Sequence, residues 1–324
     1  MLSSPAAPPD AAAPAASIVA LQRLEENLGT VIRGKREALR LVLVALLSGG
    51  HALLEDAPGT GKTTLAKSLA RSIDGAFRRV QFTPDLLPAD ITGSSFYDPQ
   101  SNGWEFRPGP VFCNVLLADE INRTSPRTQS ALLEVMSENQ VTIEGRASPL
   151  PAPFFVIATQ NPSDFHGTYP LPEAQMDRFA VRLSLGYPNP EAELQILLSR
   201  RQRDPFDALG PVLDTAQMLE LQENVRAVRV DQAIAEYIVR VVEATRHDER
   251  LRLPVSTRGA LALYRCAQAH AFLQRRDFVL PEDAREMAVP VLAHRISLES
   301  RARHGGVMPE MLITELLDAT PLPR

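Results

Sequence analysis

Beyond residue 17 the chain alternates between short unbroken apolar runs and longer stretches with helical spacing. Residues 18–29 have the spacing of a short amphipathic helix, and residues 36–47 that of a stronger one, closed by Gly49 and Gly50 as C-cap residues. His51-Ala-Leu-Leu-Glu55 then reads as a short apolar strand, Asp56 to Gly61 as a glycine-rich turn, and residues 62–73 as the next helix. Apolar runs recur at 79–82, 115–118 and 154–159, with 178–185 as a candidate fifth. Between them, residues 126–138 form a helix with Ser125 as its cap and Pro126 at its first position. Continuous rather than alternating hydrophobicity is what strands of a parallel sheet covered on both faces require, so this part reads as an α/β sandwich. From Pro190 the pattern changes: residues 191–201, 216–225, 231–245, 257–274 and 281–294 are all helical in period, and no strand is expected among them. The proline-rich joint Tyr187-Pro-Asn-Pro190 therefore divides an α/β core, residues 18–188, from a mostly helical domain, residues 189–324.

Composition narrows the picture. A chain of 324 residues with 23% charged positions is an ordinary globular protein of one large or two medium domains. Its net charge of −5 argues against a constitutive nucleic-acid coat. Cys113 and Cys266 lie far apart in apolar surroundings and read as two reduced, buried thiols rather than a disulfide or metal pair. Residues 1–17, rich in Ala and Pro and lacking a basic start, are expected to be a flexible tail and not a secretion signal. The apolar stretch 41–54 is too short and too broken to span a bilayer, so a soluble, cytoplasmic protein is expected.

The chemistry begins at Asp56-Ala57-Pro58-Gly59-Thr60-Gly61-Lys62-Thr63-Thr64. A strand runs into this string and a helix runs out, the context that makes a glycine loop a cradle for phosphates. Lys62 supplies a point charge for the β- and γ-phosphates, and the Thr63 hydroxyl is a ligand for Mg²⁺. Asp56 stands where the usual first glycine would be, an odd place for a carboxylate. The apolar Val115-Leu-Leu-Ala118 leads to the acidic pair Asp119–Glu120 at a strand's C-terminal end, where ligands of open α/β sheets bind. Asp119 is expected to hold Mg²⁺ and Glu120 to polarise the attacking water. A further buried strand ends in Gln160 and Asn161, and Asn161 can orient that water or contact the γ-phosphate. Together these signals point to Mg-ATP held between Lys62, Thr63 and the acidic pair.

Asp119-Glu-Ile-Asn-Arg-Thr-Ser-Pro-Arg-Thr-Gln-Ser-Ala-Leu-Leu-Glu-Val-Met136, Ala158-Thr-Gln-Asn-Pro162 and Leu171-Pro-Glu-Ala-Gln-Met-Asp-Arg-Phe179 resemble the MoxR family of AAA+ ATPases. The resemblance covers nearly everything after the tail. It implies a P-loop AAA+ core with a parallel five-stranded sheet, a C-terminal helical lid domain, and a ring oligomer, usually a hexamer. It implies that Asn161 is the sensor-1 residue and that Arg178 is an arginine finger for the neighbouring subunit's ATP, with Arg182 as the substitute candidate. The alternative for Arg178 is a structural salt bridge with Asp177 or Glu173. By the same resemblance Arg258 is sensor 2, touching the γ-phosphate, and Val31, Ile32 and Gly34 contact adenine, for which ordinary core packing is the competing reading. Residues 93–110, with Trp104, resemble a helix-2 insert, and residues 140–153 a hairpin preceding sensor 1. Trp104 stands either exposed, suited to gripping a client, or packed on the sheet.

The function implied is ATP hydrolysis that remodels, matures or activates a protein partner, chaperone-like, typically beside a von Willebrand factor A domain protein. The competing classes are a magnesium-chelatase-like or nucleic-acid motor and a nucleotide-gated scaffold with little turnover. No basic stripe supports the nucleic-acid version, and the full set Lys62, Asp119, Glu120, Asn161 and Arg178 argues against the scaffold.

Overall fold

In the computed structural model, residues 15–100, 102–143, 145–161, 168–199 and 204–323 are described. The expected apolar runs become five strands: β1 (Ala52–Glu55), β2 (Phe77–Gln81), β5 (Val115–Asp119), β8 (Phe155–Gln160) and β9 (Val181–Leu183). They form one parallel sheet in the order β2-β5-β8-β1-β9. Successive side chains of a strand point to opposite faces. Leu54, Val115, Leu117, Phe155 and Ile157 thus enter one apolar cluster, while Leu53, Leu116, Ala118, Val156 and Ala158 enter another. Both faces are covered, which is why the strands are apolar throughout.

The helices of the core are α1 (Ala15–Val31), α2 (Arg36–Leu47), α3 (Lys62–Ser72), α4 (Pro88–Thr92), α5 (Pro126–Glu138) and α6 (Glu173–Met176). Helix α1 begins inside the stretch expected to be tail; the rest of that tail, residues 1–14, lies outside the described residues. Ser125 caps α5 by accepting from the Thr128 amide, with Pro126 in the first turn. Two antiparallel hairpins leave the core: β3 (Gly93–Asp98) with β4 (Gly103–Pro108), and β6 (Gln140–Ile143) with β7 (Arg146–Pro149). On the first, Trp104 is 68% exposed and meets Tyr97 edge-on at 5.8 Å, so it does not pack on the sheet.

The C-terminal part holds α7 (Pro190–Ser199), α8 (Thr215–Ala227), α9 (Gln232–Arg246), α10 (Thr257–Leu273), α11 (Pro281–Leu292), α12 (Ser300–His304) and α13 (Pro309–Ala319). One expectation fails here. A short antiparallel pair, β10 (Leu251–Leu253) with β11 (Ser297–Leu298), interrupts the helices; two and three residues are too few to register as a run in sequence. Both cysteines are buried and free, and burial pushes the thiols up to about 12 for Cys113 and about 11 for Cys266. Among the described residues no helix is long and apolar enough to cross a membrane.

Candidate functional site

The parallel register brings the C-terminal tips of β2, β5, β8 and β1 side by side: Gln81 pairs with Asp119, Ala118 with Ala158, and Gln160 with Glu55. Over these tips lies a cavity of about 390 Å³ lined by Asp56, Pro58 to Thr64, Arg79, Gln81, Asp119, Glu120, Thr159, Gln160 and Asn161. Gly61 has φ = 97°, a conformation open to glycine at little cost, and caps the start of α3. The α3 N-terminus faces the cavity, so its unpaired amides and the helix dipole favour an anion there. Lys62 Nζ donates to the carbonyl oxygens of Asp56 and Ala57 at 3.1 and 2.9 Å. Ala57 therefore contributes its carbonyl, while Pro58, Gly59, Thr60, Gly61, Lys62, Thr63 and Thr64 line the space.

Asp119 and Glu120 are held differently. Asp119 is buried, accepts from Thr159 Oγ1 at 2.7 Å, and pairs with Arg79, whose Nε and a terminal nitrogen donate at 3.1 and 2.7 Å. Glu120 adopts φ = 59°, left-handed and uncommon for a residue with a side chain. That turn ends β5 abruptly, and the carboxylate accepts from Gln81 Nε2 at 2.9 Å and from Arg123 at 3.1 Å. The Glu120 amide donates to Thr159 Oγ1 at 2.8 Å. Thr159 thus ties both acidic residues to β8. Sequence reasoning missed Arg79, Gln81 and Thr159; polar residues near the tip of a strand expected beside the acidic one were the available signal. Asp119 and Thr63 bring hard oxygen donors to one cavity, which suits Mg²⁺.

A second cavity, also about 390 Å³, adjoins the loop and is lined by Val31, Ile32, Lys35, Gly59 to Gly61, Thr64, Tyr187, Pro188, Ile196 and Leu197. It mixes apolar and polar walls as a purine base requires. Ile32 belongs to it. Gly34 does not: it has φ = 69°, and a Cβ there would stand 2.7 Å from Ala192 Cβ, so it lets the segment before α2 pack closely on α7.

The arginines assigned by resemblance lie elsewhere. Arg178 and Arg258 line a smaller cleft with Asp177, Arg265 and Arg295, and no residue of the phosphate loop shares it. Arg258, expected as sensor 2, lines this cleft together with Arg178 and lines neither cavity at the phosphate loop. Arg178 donates to Leu133 O, and to Ser137 Oγ at 2.7 Å. Its supposed carboxylate partners are engaged by the lid instead. Asp177 accepts from Arg295 Nε at 2.8 Å and from Ser256 Oγ at 2.9 Å, and Glu173 pairs with Arg252. Arg182 pairs with Glu310, and with Glu55 at 3.5 Å. The buried Arg295 also donates to the carbonyls of Phe179 and Ala180, so one guanidinium clamps the segment carrying Arg178 to the lid. His294 Nε2 lies 3.1 Å from Phe179 O, and burial together with the Arg295 cation holds its pKa well below the ordinary value.

Comparison with known proteins agrees with this architecture. The profile of the ATPase family associated with various cellular activities (AAA) matches residues 51–181, and that of the AAA lid domain matches residues 243–316. The chain is 48% identical over 303 residues to the Bacillus subtilis protein YeaC, covering 94% of this chain and 95% of that one. It is 41% identical over 319 residues to Chaperone MoxR1 of Mycobacterium tuberculosis, covering 96% and 84%. A crystal structure of a candidate ATPase from Cytophaga hutchinsonii superposes with a TM-score of 0.88 at 37% identity, covering 95% and 96%. With a parallel five-stranded sheet, a phosphate loop, an acidic strand tip and a helical lid, the chain belongs to the MoxR family of AAA+ ATPases.

Proposed function

We propose that the protein binds Mg-ATP in the cavity over the sheet, hydrolyses it as a ring oligomer, and uses the cycle to remodel or activate a protein partner. The observation that carries this is the convergence of Lys62, Thr63, Asp119, Glu120 and Asn161 on one cavity while Arg178 and Arg258 line another. Thr63 and Asp119 would hold Mg²⁺, which would supply positive charge to offset the charge of the phosphates. Lys62 and the loop amides bind the same phosphates. Glu120 takes a proton from the water that attacks the γ-phosphorus, Asn161 orients that water, and the β–γ bridging oxygen leaves with ADP. Both arginines are read as serving the nucleotide of a neighbouring copy. The chaperone-like role is supported by the 41%-identical Chaperone MoxR1, and the partner proposed by family resemblance is a von Willebrand factor A domain protein.

Two substitutions test this reading. Lys62→Ala is expected to abolish ATP binding. Glu120→Gln is expected to keep binding and lose about 10²–10⁴-fold in turnover, the usual contribution of a positioned acid–base group. Turnover per subunit should rise with protein concentration as rings form. Wild-type activity in Glu120→Gln would refute the assignment. Capture of partners on Glu120→Gln held in Mg-ATP, read by mass spectrometry, tests the remodelling role: a von Willebrand factor A protein supports it, and nucleic acid alone overturns it.

A further inference from the structure

The odd carboxylate at the loop entrance has its own set of partners. Asp56 is 3% exposed, and its side chain turns to the β9 side of the sheet. One oxygen accepts from Ser184 Oγ at 2.7 Å and from the Gly186 amide at 2.8 Å; the other accepts from the Leu185 amide at 2.7 Å. Meanwhile the Asp56 amide donates to Gln160 O of β8 at 3.2 Å. The β1–β9 ladder ends at Leu54 opposite Leu183, so the carboxylate takes over amides that lie past the last strand pair.

Those amides introduce Tyr187 and Pro188, which line the second cavity beside the loop. Lys35, which lines the same cavity, donates to Tyr187 O. The joint to the lid is thus fixed at one end by Asp56 and at the other by Lys35. A glycine at position 56 would shape the loop equally well but leave two amides without their acceptor, one of them on the buried Leu185.

We propose that Asp56 is a positioning residue: its carboxylate fastens the phosphate loop to the lid joint, so that Tyr187 and Pro188 stand against the nucleotide base when the loop holds the phosphates. This rests on the nucleotide-binding reading above. It accounts for a carboxylate beside a polyanion site, since the charge is spent on three donors.

The test uses the full chain with Asp56→Gly, which restores the common loop glycine, and Ser184→Ala, which removes one donor and leaves the loop sequence intact. Hydrogen exchange without nucleotide is read first. Amides of Leu185 and Gly186 should exchange at least about tenfold faster in Asp56→Gly, as loss of hydrogen bonds to a charged acceptor implies. Calorimetric titration with Mg-ATP should show affinity lowered about tenfold or more in Asp56→Gly and a few-fold in Ser184→Ala, with KM raised and kcat changed far less. Unchanged exchange at these amides overturns the tie. Faster exchange with unchanged ATP affinity, or a fall in kcat at constant KM, overturns the positioning role. If Asp56→Gly does not fold, Ser184→Ala decides by Mg-ATP affinity and by the split between KM and kcat: unchanged affinity overturns the positioning role. Failure of the wild type to bind Mg-ATP would instead strike the nucleotide reading, while the exchange result would still stand.

Discussion

The phosphate cavity and the arginine cleft are built in opposite ways. The cavity takes its polar groups from adjacent strand tips, so the register of one parallel sheet closes it within one chain. The cleft takes Arg178 from the end of the core and Arg258, Arg265 and Arg295 from the lid, and shares no residue with the phosphate loop. The cavity combines its acidic residues with Lys62 and Arg79, whereas the cleft gathers four arginines around the carboxylate of Asp177. The difference teaches that one fold can carry two polar sites of opposite construction, one set by sheet register and one by the packing of lid on core.

The sharpest way to break this comparison is Arg178→Ala. A finger arginine contributes about 10³–10⁵ in rate, so turnover should fall by that factor while ATP affinity changes little. Mixing settles the geometry. Arg178→Ala chains lack the finger, and Lys62→Ala chains lack the cavity, so each is nearly inert alone. Mixed rings would set an intact Lys62 site beside an intact Arg178, and steady-state ATPase assays should show activity return. No recovery between variants that co-assemble would show that Arg178 acts within its own chain or not at all.

The two halves were unequally legible in sequence. The cavity could be read because its groups cluster in three short strings, each at the end of an apolar strand, and a parallel sheet aligns such ends. What escaped was the side-chain traffic between strands: Arg79 to Asp119, and Gln81 to Glu120, are contacts 40 and 39 positions apart. The partners of Asp56 are 128 to 130 positions away, so its carboxylate looked like a hazard to phosphate when it is an anchor. The cleft was harder. Arg178 was visible in Asp177-Arg178-Phe179, but its neighbours depend on how the lid packs, which helical periodicity does not encode. Arg295 lies in a 3₁₀ turn after α11, 118 positions from Asp177, and carried no signal at all. Helical periodicity likewise gave no sign that Arg258 would share a cleft with Arg178.

The cleft should also be the half that depends on acidity through the lid's framework. Asp283 joins α10 to α11: it accepts from Arg276 at 2.6 and 2.7 Å and from the Leu280 amide at 2.7 Å, with His270 Nδ1 at 2.7 Å. Burial alone would raise this carboxyl, but the bonds from His270, Arg276 and Leu280 outweigh it and bring the pKa down to about 2. A depressed folded-state pKa means stability that is present above the ordinary carboxylate value and lost as pH falls through about 2. The contribution is about 2 kcal/mol. Urea unfolding of wild type and Asp283→Asn should differ by at least that much at pH 7. The gap should narrow by about 2 kcal/mol between pH 5 and 2. A gap independent of pH would show that the carboxylate is not held ionised by the fold.

The smallest effect probes the latch itself. Ser256 Oγ accepts from the Gly259 amide at 3.1 Å, capping α10, and donates to Asp177 at 2.9 Å. Ser256→Ala removes both and should cost about 1 kcal/mol, as loss of a cap does. That alone cannot separate cap from latch, because either loss destabilises. Ser256→Asp can. Aspartate caps a helix as well as serine, yet here it sets a second carboxylate against Asp177. If α10 needs only its cap, Ser256→Asp should match the wild type in thermal unfolding and in ATPase activity. If the lid positions the finger through Asp177, Ser256→Asp should be less stable than Ser256→Ala, with turnover lowered and Mg-ATP affinity unchanged. The second result is expected, because Arg295 and Ser256 share the Asp177 carboxylate, and repulsion there strains the segment that carries Arg178 while leaving the strand tips untouched.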